Sequence, residues 1–320
     1  MAAFLDLIGQ SQAVELLSRA IAQNRVAPAY LFAGAPGVGR SLAARHFAGL
    51  LLAPLDQTNQ PSKNSSARVQ QSNHPDLLWV EPTYLHQGKR LSATEAAEQG
   101  VKRKSPPEIR LEQVREVARF LGRPPLEAPR SVVVLEDAET MAEAAANGLL
   151  KTLEEPGRAT LILIAPSPES LLPTLVSRCQ RIPFRRLNQA AIAQVLIQTG
   201  NGEILQHPEV IALAQGSPGE AIAQWQQIQA IPPELLTAVT QPPQSLRTAL
   251  DLARQIAQSL DTESQLWLLD YLQYHYWETQ RQVAYLHHLE KARRYLLQYV
   301  QPRLVWEVTF LGMKGDNDHF

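Results

Sequence analysis

Two stretches of this 320-residue sequence carry residue types that handle phosphoryl groups. Gly34-Ala35-Pro36-Gly37-Val38-Gly39-Arg40-Ser41 has the spacing of a phosphate-binding loop, G-x-x-x-x-G-K-[ST], with arginine where lysine is usual. Glycine-permitted turns at this spacing aim backbone N–H groups and a helix N-terminus at phosphate oxygens, and Ser41 has the hydroxyl that could ligate Mg²⁺. The arginine alters that chemistry, because a lysine ammonium is a compact point charge whereas a guanidinium is planar, bulkier and differently directed. Two readings stay open: a working nucleotide site, or a loop that keeps its shape and holds nucleotide weakly or not at all. The second stretch is Val132-Val133-Val134-Leu135 running into Glu136-Asp137. Hydrolysis of a nucleotide calls for an aspartate that holds magnesium, then a carboxylate that polarises water. Here the acids stand in the opposite order, the longer side chain at the metal position and the shorter one where reach is needed, which weakens both roles. The candidate cofactor site is therefore Gly34, Gly37, Gly39, Arg40, Ser41, Glu136 and Asp137, with no resident metal assigned.

The elements that must position these groups read as an α/β pattern. Ala13, Leu16, Leu17, Ala20 and Ile21 recur at helical spacing, Ala29 to Ala33 is a short buried strand, and a helix opens at Arg40 with Ala43, Phe47, Leu50 and Leu51 on one face. Order returns at Ile109-Arg110-Leu111 with a helix through Val114, Val117, Ala118 and Leu121 that Pro124-Pro125 end. Ser131 to Asp137 and Thr160 to Ala165 read as strands, their continuous apolar stretches Val132 to Leu135 and Leu161 to Ala165 being the mark of strands buried on both faces of a parallel sheet. Between them Met141, Ala145, Leu149 and Leu153 predict a helix stopped by Pro156-Gly157. Residues 55–73 and 86–107 are polar and without period, and read as surface loops; Lys102-Arg103-Lys104, beside Pro106-Pro107, reads as a solvated cluster rather than a nucleic-acid site. Beyond about 186 the pattern is helical. Ile231-Pro232-Pro233 and Pro242-Pro243 bracket a predicted hinge, and the stripes Trp267, Tyr271, Tyr274 and Tyr285, Leu289, Ala292, Leu296 read as core or subunit interface.

Composition narrows the class. Thirty Lys+Arg against 31 Asp+Glu give a formal charge of −1, which excludes binding driven by whole-molecule charge. With 45% hydrophobic and 19% charged residues the chain can build real cores, two or three at this length. The single cysteine, Cys179, excludes an internal disulfide and a cysteine-rich zinc site, and reads as a small apolar filler. No apolar run is long enough to span a bilayer, and Asp6 interrupts any leader pattern at the N-terminus, so a cytoplasmic protein is expected.

The phosphate loop, Ile109 to Arg115, Val132 to Glu139, Ala144-Ala145-Ala146-Asn147-Gly148-Leu149-Leu150-Lys151-Thr152-Leu153-Glu154-Glu155-Pro156 and Leu172-Pro173-Thr174-Leu175-Val176-Ser177-Arg178-Cys179 occur together and in this order. In that combination the sequence resembles the delta-prime branch of the bacterial DNA polymerase III clamp loaders, within the AAA+ family, closely over residues 4 to 186 and more loosely beyond. The resemblance implies an AAA+ α/β base with a parallel sheet over 1–186, a helical lid over 187–228 and an all-α collar over 229–320. It implies a subunit of the polymerase holoenzyme, sitting in a hetero-pentamer with gamma/tau-like and delta-like subunits, acting on the sliding clamp and on primed DNA through the assembled ring, away from membranes. The arginine of its S-R-C triplet, here Arg178, would act in trans on nucleotide bound by a neighbour.

Two departures from the family pattern matter. Asp56 to Ser72 holds none of the four zinc-binding cysteines of many relatives, so no zinc is expected, although His74-Pro75-Asp76 matches the segment that follows. Gly219, in Gly216-Ser217-Pro218-Gly219-Glu220, stands where active members carry a lid arginine. With Arg40 and the reversed acids, this gives the expectation of ATP or ADP with Mg²⁺ held weakly or not at all, and no turnover by the chain alone. The alternatives are an active gamma/tau-like ATPase and an AAA+ interaction protein outside replication.

Overall fold

A computed structural model describes residues 4, 6–53, 68, 73–99, 106–155 and 157–317. The polar segment 55–73, apart from Arg68 and Asn73, lies outside the described residues, as do Lys102-Arg103-Lys104 and Pro156. Two compact units are present, Met1–Gln194 and Val195–Phe320.

The first unit is built on strands β1 (Ala29–Ala33), β2 (Leu77–Val80), β5 (Ser131–Leu135), β6 (Ala159–Ala165) and β7 (Gln180–Pro183), in the sheet order β2-β5-β6-β1-β7. All neighbouring pairs are parallel. β5 and β6 are buried along their whole length, which is why their sequences need no polar alternation. In register, Leu31 pairs with Leu163 and Leu163 with Leu135, so one leucine layer crosses three strands. Helices Leu111–Leu121 and Glu143–Glu154 cover it with Val114, Val117 and Leu149. Helices α1 (Ser11–Ala22) and α2 (Arg40–Leu52) belong to the same unit. Because the strands run parallel, the loop leaving β1 and the acids leaving β5 emerge at one edge, on either side of β6. The strand order reverses at β1, the place where open α/β sheets hold ligands.

Three sequence expectations change here. The stretch 86–107 is not simply loop: β3 (Tyr84–His86) and β4 (Lys89–Leu91) form a hairpin through Gln87 and Gly88, both at positive φ, and a helix follows over Ala93–Glu98. Ser92 opens that helix with a capping box, its hydroxyl accepting from Glu95 N at 3.2 Å while Glu95 Oε2 accepts from Ser92 N at 2.7 Å. Met141 lies outside the helix that its spacing predicts and bridges in parallel to Ile109. The segment between the proline pairs holds a helix, Pro233–Val239, whose Leu235 and Val239 enter the core of the second unit.

In that second unit every described regular element is a helix. Trp267 and Tyr271 stack at 5.4 Å, and Tyr285, Leu289, Ala292 and Leu296 are fully buried, so these residues are core, whereas Tyr274 of the first stripe is only half-buried and lies outside it. The Tyr276 hydroxyl donates to Val239 O at 2.6 Å, tying the longest helix to the short one.

Candidate functional site

The phosphate loop has the backbone that its glycines permit. Gly34 continues β1, donating to Ala165 O at 3.2 Å, and passes so close to the chain after β7 that a Cβ would stand 2.4 Å from Phe184 O. Gly39 takes φ +101° at the N-cap of α2, a conformation closed to ordinary side chains, and Gly37 takes φ +71°. Gln10, which sequence reasoning overlooked, fastens the loop: its Nε2 donates to Val38 O at 3.1 Å and Arg185 O at 2.7 Å, while its Oε1 accepts from Arg185 N at 3.0 Å.

The side chains close on themselves. Arg40 begins α2 and is only 6% exposed, and its Nη1 has no hydrogen-bond partner among the described residues. Burial pulls its guanidinium below the ordinary value, against the opposing charges of Asp137, Glu139 and Glu136. The Ser41 hydroxyl donates to Glu136 Oε1, and the Trp79 indole N–H donates to Glu136 Oε2 at 2.8 Å. Arg45, one turn beyond Ser41 on α2, lays its guanidinium over the Trp79 ring at 4.2 Å. Asp137 adopts the left-handed conformation at φ +45°, which aspartate tolerates, and Thr140 returns N–H and hydroxyl to its carbonyl at 2.9 and 2.7 Å.

Carboxylates crowd this edge. Burial, then the charge of Glu136, raises Asp137 against the pull of Arg40. Burial raises Glu139, with Asp137 adding to it and Arg40 opposing. Glu81, at the end of β2, is raised by burial and by Glu136. Sequence reasoning named Glu136 and Asp137 but not Trp79, Glu81 or Glu139; an acid directly after β2, as after β5, is the signal that could have found Glu81. The fit to a magnesium nucleotide is poor on these observations. Both oxygens of Glu136 and the hydroxyl of Ser41 are committed to protein partners, the loop's cation faces acids, and a polyphosphate brought here would meet four carboxylates.

Arg178 lies elsewhere in the same unit, between the helical turn Pro173–Val176 and β7. Its Nη2 donates to Glu154 Oε1 at 2.7 Å and its Nη1 to Thr174 O at 3.0 Å, while the side chain stays 38% exposed. Both partners are surface groups, and such a pair holds a guanidinium by no more than about 1 kcal/mol. Burial pushes the neighbouring Cys179 thiol up to about 11, so it is an unreactive filler at neutral pH. Gly219 occupies the first turn of helix Pro218–Ala230, capped by the buried Ser217, whose Oγ accepts from Glu220 N at 3.2 Å. His74 and Asp76 have structural work: Asp76 is 2% exposed and its carboxylate accepts from Leu126, Glu127 and Ala128 N at 2.6 to 2.8 Å, while His74 Nδ1 accepts from Asp76 N.

A parallel sheet with a glycine loop at its switch point, acids after β5 and a helical second half defines a phosphate-loop α/β protein of the AAA+ type. Residues 9–188 match the family described as DNA polymerase III, delta subunit, and residues 190–313 the family described as cyanobacterial DNA polymerase III delta prime, C-terminal domain. The chain belongs to the family described as DNA polymerase III, delta subunit. It is 32% identical to a Bacillus subtilis DNA polymerase III subunit delta' over 196 residues, 59% of this chain and 51% of that protein. To the Pseudomonas aeruginosa subunit delta' it is 34% identical over 196 residues, 60% of this chain and 54% of that protein. The chain thus spans about half the length of the curated relatives it matches. A crystal structure of a gamma subunit-related protein of DNA polymerase III from Thermotoga maritima shares the fold, with TM-score 0.52 and 15% identity over 95% of this chain and 99% of that one. Among the described residues no helix is long and apolar enough to cross a membrane.

Proposed function

We propose that this chain is a clamp-loader subunit that does not hydrolyse ATP itself and that lends Arg178 to a nucleotide bound by the adjacent subunit. The carrying observation is the contrast between two cations. Arg40, the loop's own, is buried among Glu136, Asp137 and Glu139, whereas Arg178 stays at the surface in a weak pair with Glu154. A guanidinium entering a dry junction neutralises charge spreading over the transferring phosphoryl group, an effect of about 10³- to 10⁵-fold in turnover. In this reading residues 1–186 are the AAA+ base, 187–228 a lid and 229–320 the collar through which the subunits associate. The ring would be a cytoplasmic hetero-pentamer with gamma/tau-like and delta-like subunits, opening a sliding clamp on primed DNA. The delta subunit family match over 9–188 and the delta prime C-terminal match over 190–313 support it, and so do the altered phosphate loop and the glycine at 219.

The test is reconstitution with the other loader subunits, clamp and primed DNA, comparing the wild type with Arg178→Ala. The variant ring is expected to assemble with unchanged stoichiometry and to lose most clamp- and DNA-stimulated ATPase. Unchanged turnover removes the role of Arg178. Robust turnover by the purified chain, abolished by Ser41→Ala, would instead make it a gamma/tau-like ATPase.

A further inference from the structure

We infer that Glu136 is a latch: clasped between the Ser41 hydroxyl and the Trp79 indole, its carboxylate fills the place a magnesium ion would need and makes this loop refuse metal-bound nucleotide. The inference deepens the non-hydrolysing reading of the same loop and rests on it.

The latch is a closed circuit of contacts through three elements. Trp79 on β2 pairs with Val134 on β5, and Glu136 N donates to Val80 O at 2.9 Å, so the ladder between the strands extends to the acid itself. That register sets the carboxylate beside the indole, whose N–H takes Oε2, while Ser41 takes Oε1. Arg45 then returns the chain of contacts from the Trp79 ring to α2, four residues after Ser41 and on the same helical face. The helix that opens at the phosphate loop is thereby gripped at two points by the end of β5 and its neighbour.

A phosphate-loop site holds magnesium between the loop hydroxyl and a strand-end aspartate. The ion demands near-ideal octahedral oxygens at about 2.0–2.1 Å. Glutamate adds one C–C bond, about 1.5 Å, to the reach of aspartate from the same backbone position. Here that length carries the carboxylate across to the hydroxyl and the indole together. An ion could enter only by breaking both hydrogen bonds of a group that the edge already holds among like charges. Arginine at position 40 is, on this view, secondary: it neutralises the acids, and exchanging it for lysine leaves the latch in place.

Calorimetric titration of the full chain with ADP, with and without Mg²⁺, reads the latch directly. The ¹⁵N indole resonance of Trp79, assigned by its loss in Trp79→Phe, reports the clasp. In the wild type, Mg²⁺ is expected neither to tighten ADP nor to move that resonance, whether or not ADP alone is taken up. Glu136→Asp is expected to gain at least tenfold tighter ADP binding with Mg²⁺, about 1.4 kcal/mol, while Arg40→Lys alone gains none. If Glu136→Asp misfolds, Trp79→Phe, which frees one oxygen and keeps a ring beneath Arg45, should show a gain of the same sign. A wild type whose ADP affinity rises tenfold with Mg²⁺ overturns the latch. So does a folded Glu136→Asp with no metal response. Either result leaves the reconstituted Arg178 assay untouched, so the two readings fail separately.

Discussion

The carboxylate of Asp76 shows how a recognisable triplet can be architectural. Burial pushes its pKa up, but three backbone N–H donors from Leu126, Glu127 and Ala128 outweigh burial and hold it below the ordinary value. A lowered acid stabilises the fold at pH above the unfolded value of about 3.9, and that contribution is lost as pH falls through the folded value. Asp76→Ala is therefore expected to cost about 3 kcal/mol at pH 7, with the gap to wild type closing below about pH 4, measured by urea unfolding at both pH values. Glu139 has the opposite sign. Its raised value means that its contribution is full below the unfolded value of about 4.3 and is lost as pH rises through the folded one. Glu139→Gln should accordingly melt higher than wild type at pH 8 and match it near pH 4, checked by calorimetric scans. Arg178 is held loosely, and Glu154→Ala is expected to lower stability by less than about 1 kcal/mol while leaving the arginine available.

At the scale of elements, the loop after β1 tolerates no side chain at position 34. Gly34→Ala places a methyl against the Phe184 carbonyl, which lies on backbone and cannot swing away. It is expected to cost about 2–3 kcal/mol, read from a denaturation midpoint, with Gly49→Ala, where nothing lies within 4 Å and φ is likewise not positive, as a control for an added Cβ. The same physics explains what could be read from sequence. β1, β5 and β6 are buried on both sides, so their apolar runs stand out; β1 and β6 fall within a residue of their expected bounds, and β5 ends at Leu135, before the two acids. β7 begins with exposed Gln180 and Arg181 at a sheet edge, and β2 has four residues at the other edge, so neither has a strong pattern of its own. The hairpin β3–β4 and the helix over Ala93–Glu98 bury little beyond Leu91 and Ala96, and a polar composition concealed them. In the site, Gly34 to Ser41, Glu136 and Asp137 were legible because their spacing is local. Trp79, Gln10 and Glu139 were not, because their roles come from partners 57, 175 or roughly a hundred positions away along the chain, or less far but across the sheet, and tertiary register decides those meetings.

For the whole molecule, the first half matches a DNA polymerase III delta subunit family and the second a delta prime C-terminal family, while the chain spans about half of its curated delta' relatives, so shared descent covers its domains more firmly than its partners. In the proposed function, the surface arginine and the self-occupied loop belong to a protein that keeps the shape of a motor and contributes to a reaction centred elsewhere. In the proposed ring the exposed Val283, Leu297, Tyr299, Leu304 and Val308 of the second unit offer apolar area for association, and replacing Tyr299 and Leu304 with serine is expected to weaken assembly without lowering the melting temperature of the isolated chain, as sizing chromatography and calorimetry would show. The most direct measurement is stimulated ATP turnover by a fully assembled loader containing Arg178→Ala. Turnover is expected to fall at least about a hundredfold with the ring intact; an intact ring turning over at the wild-type rate would contradict the role given to that guanidinium.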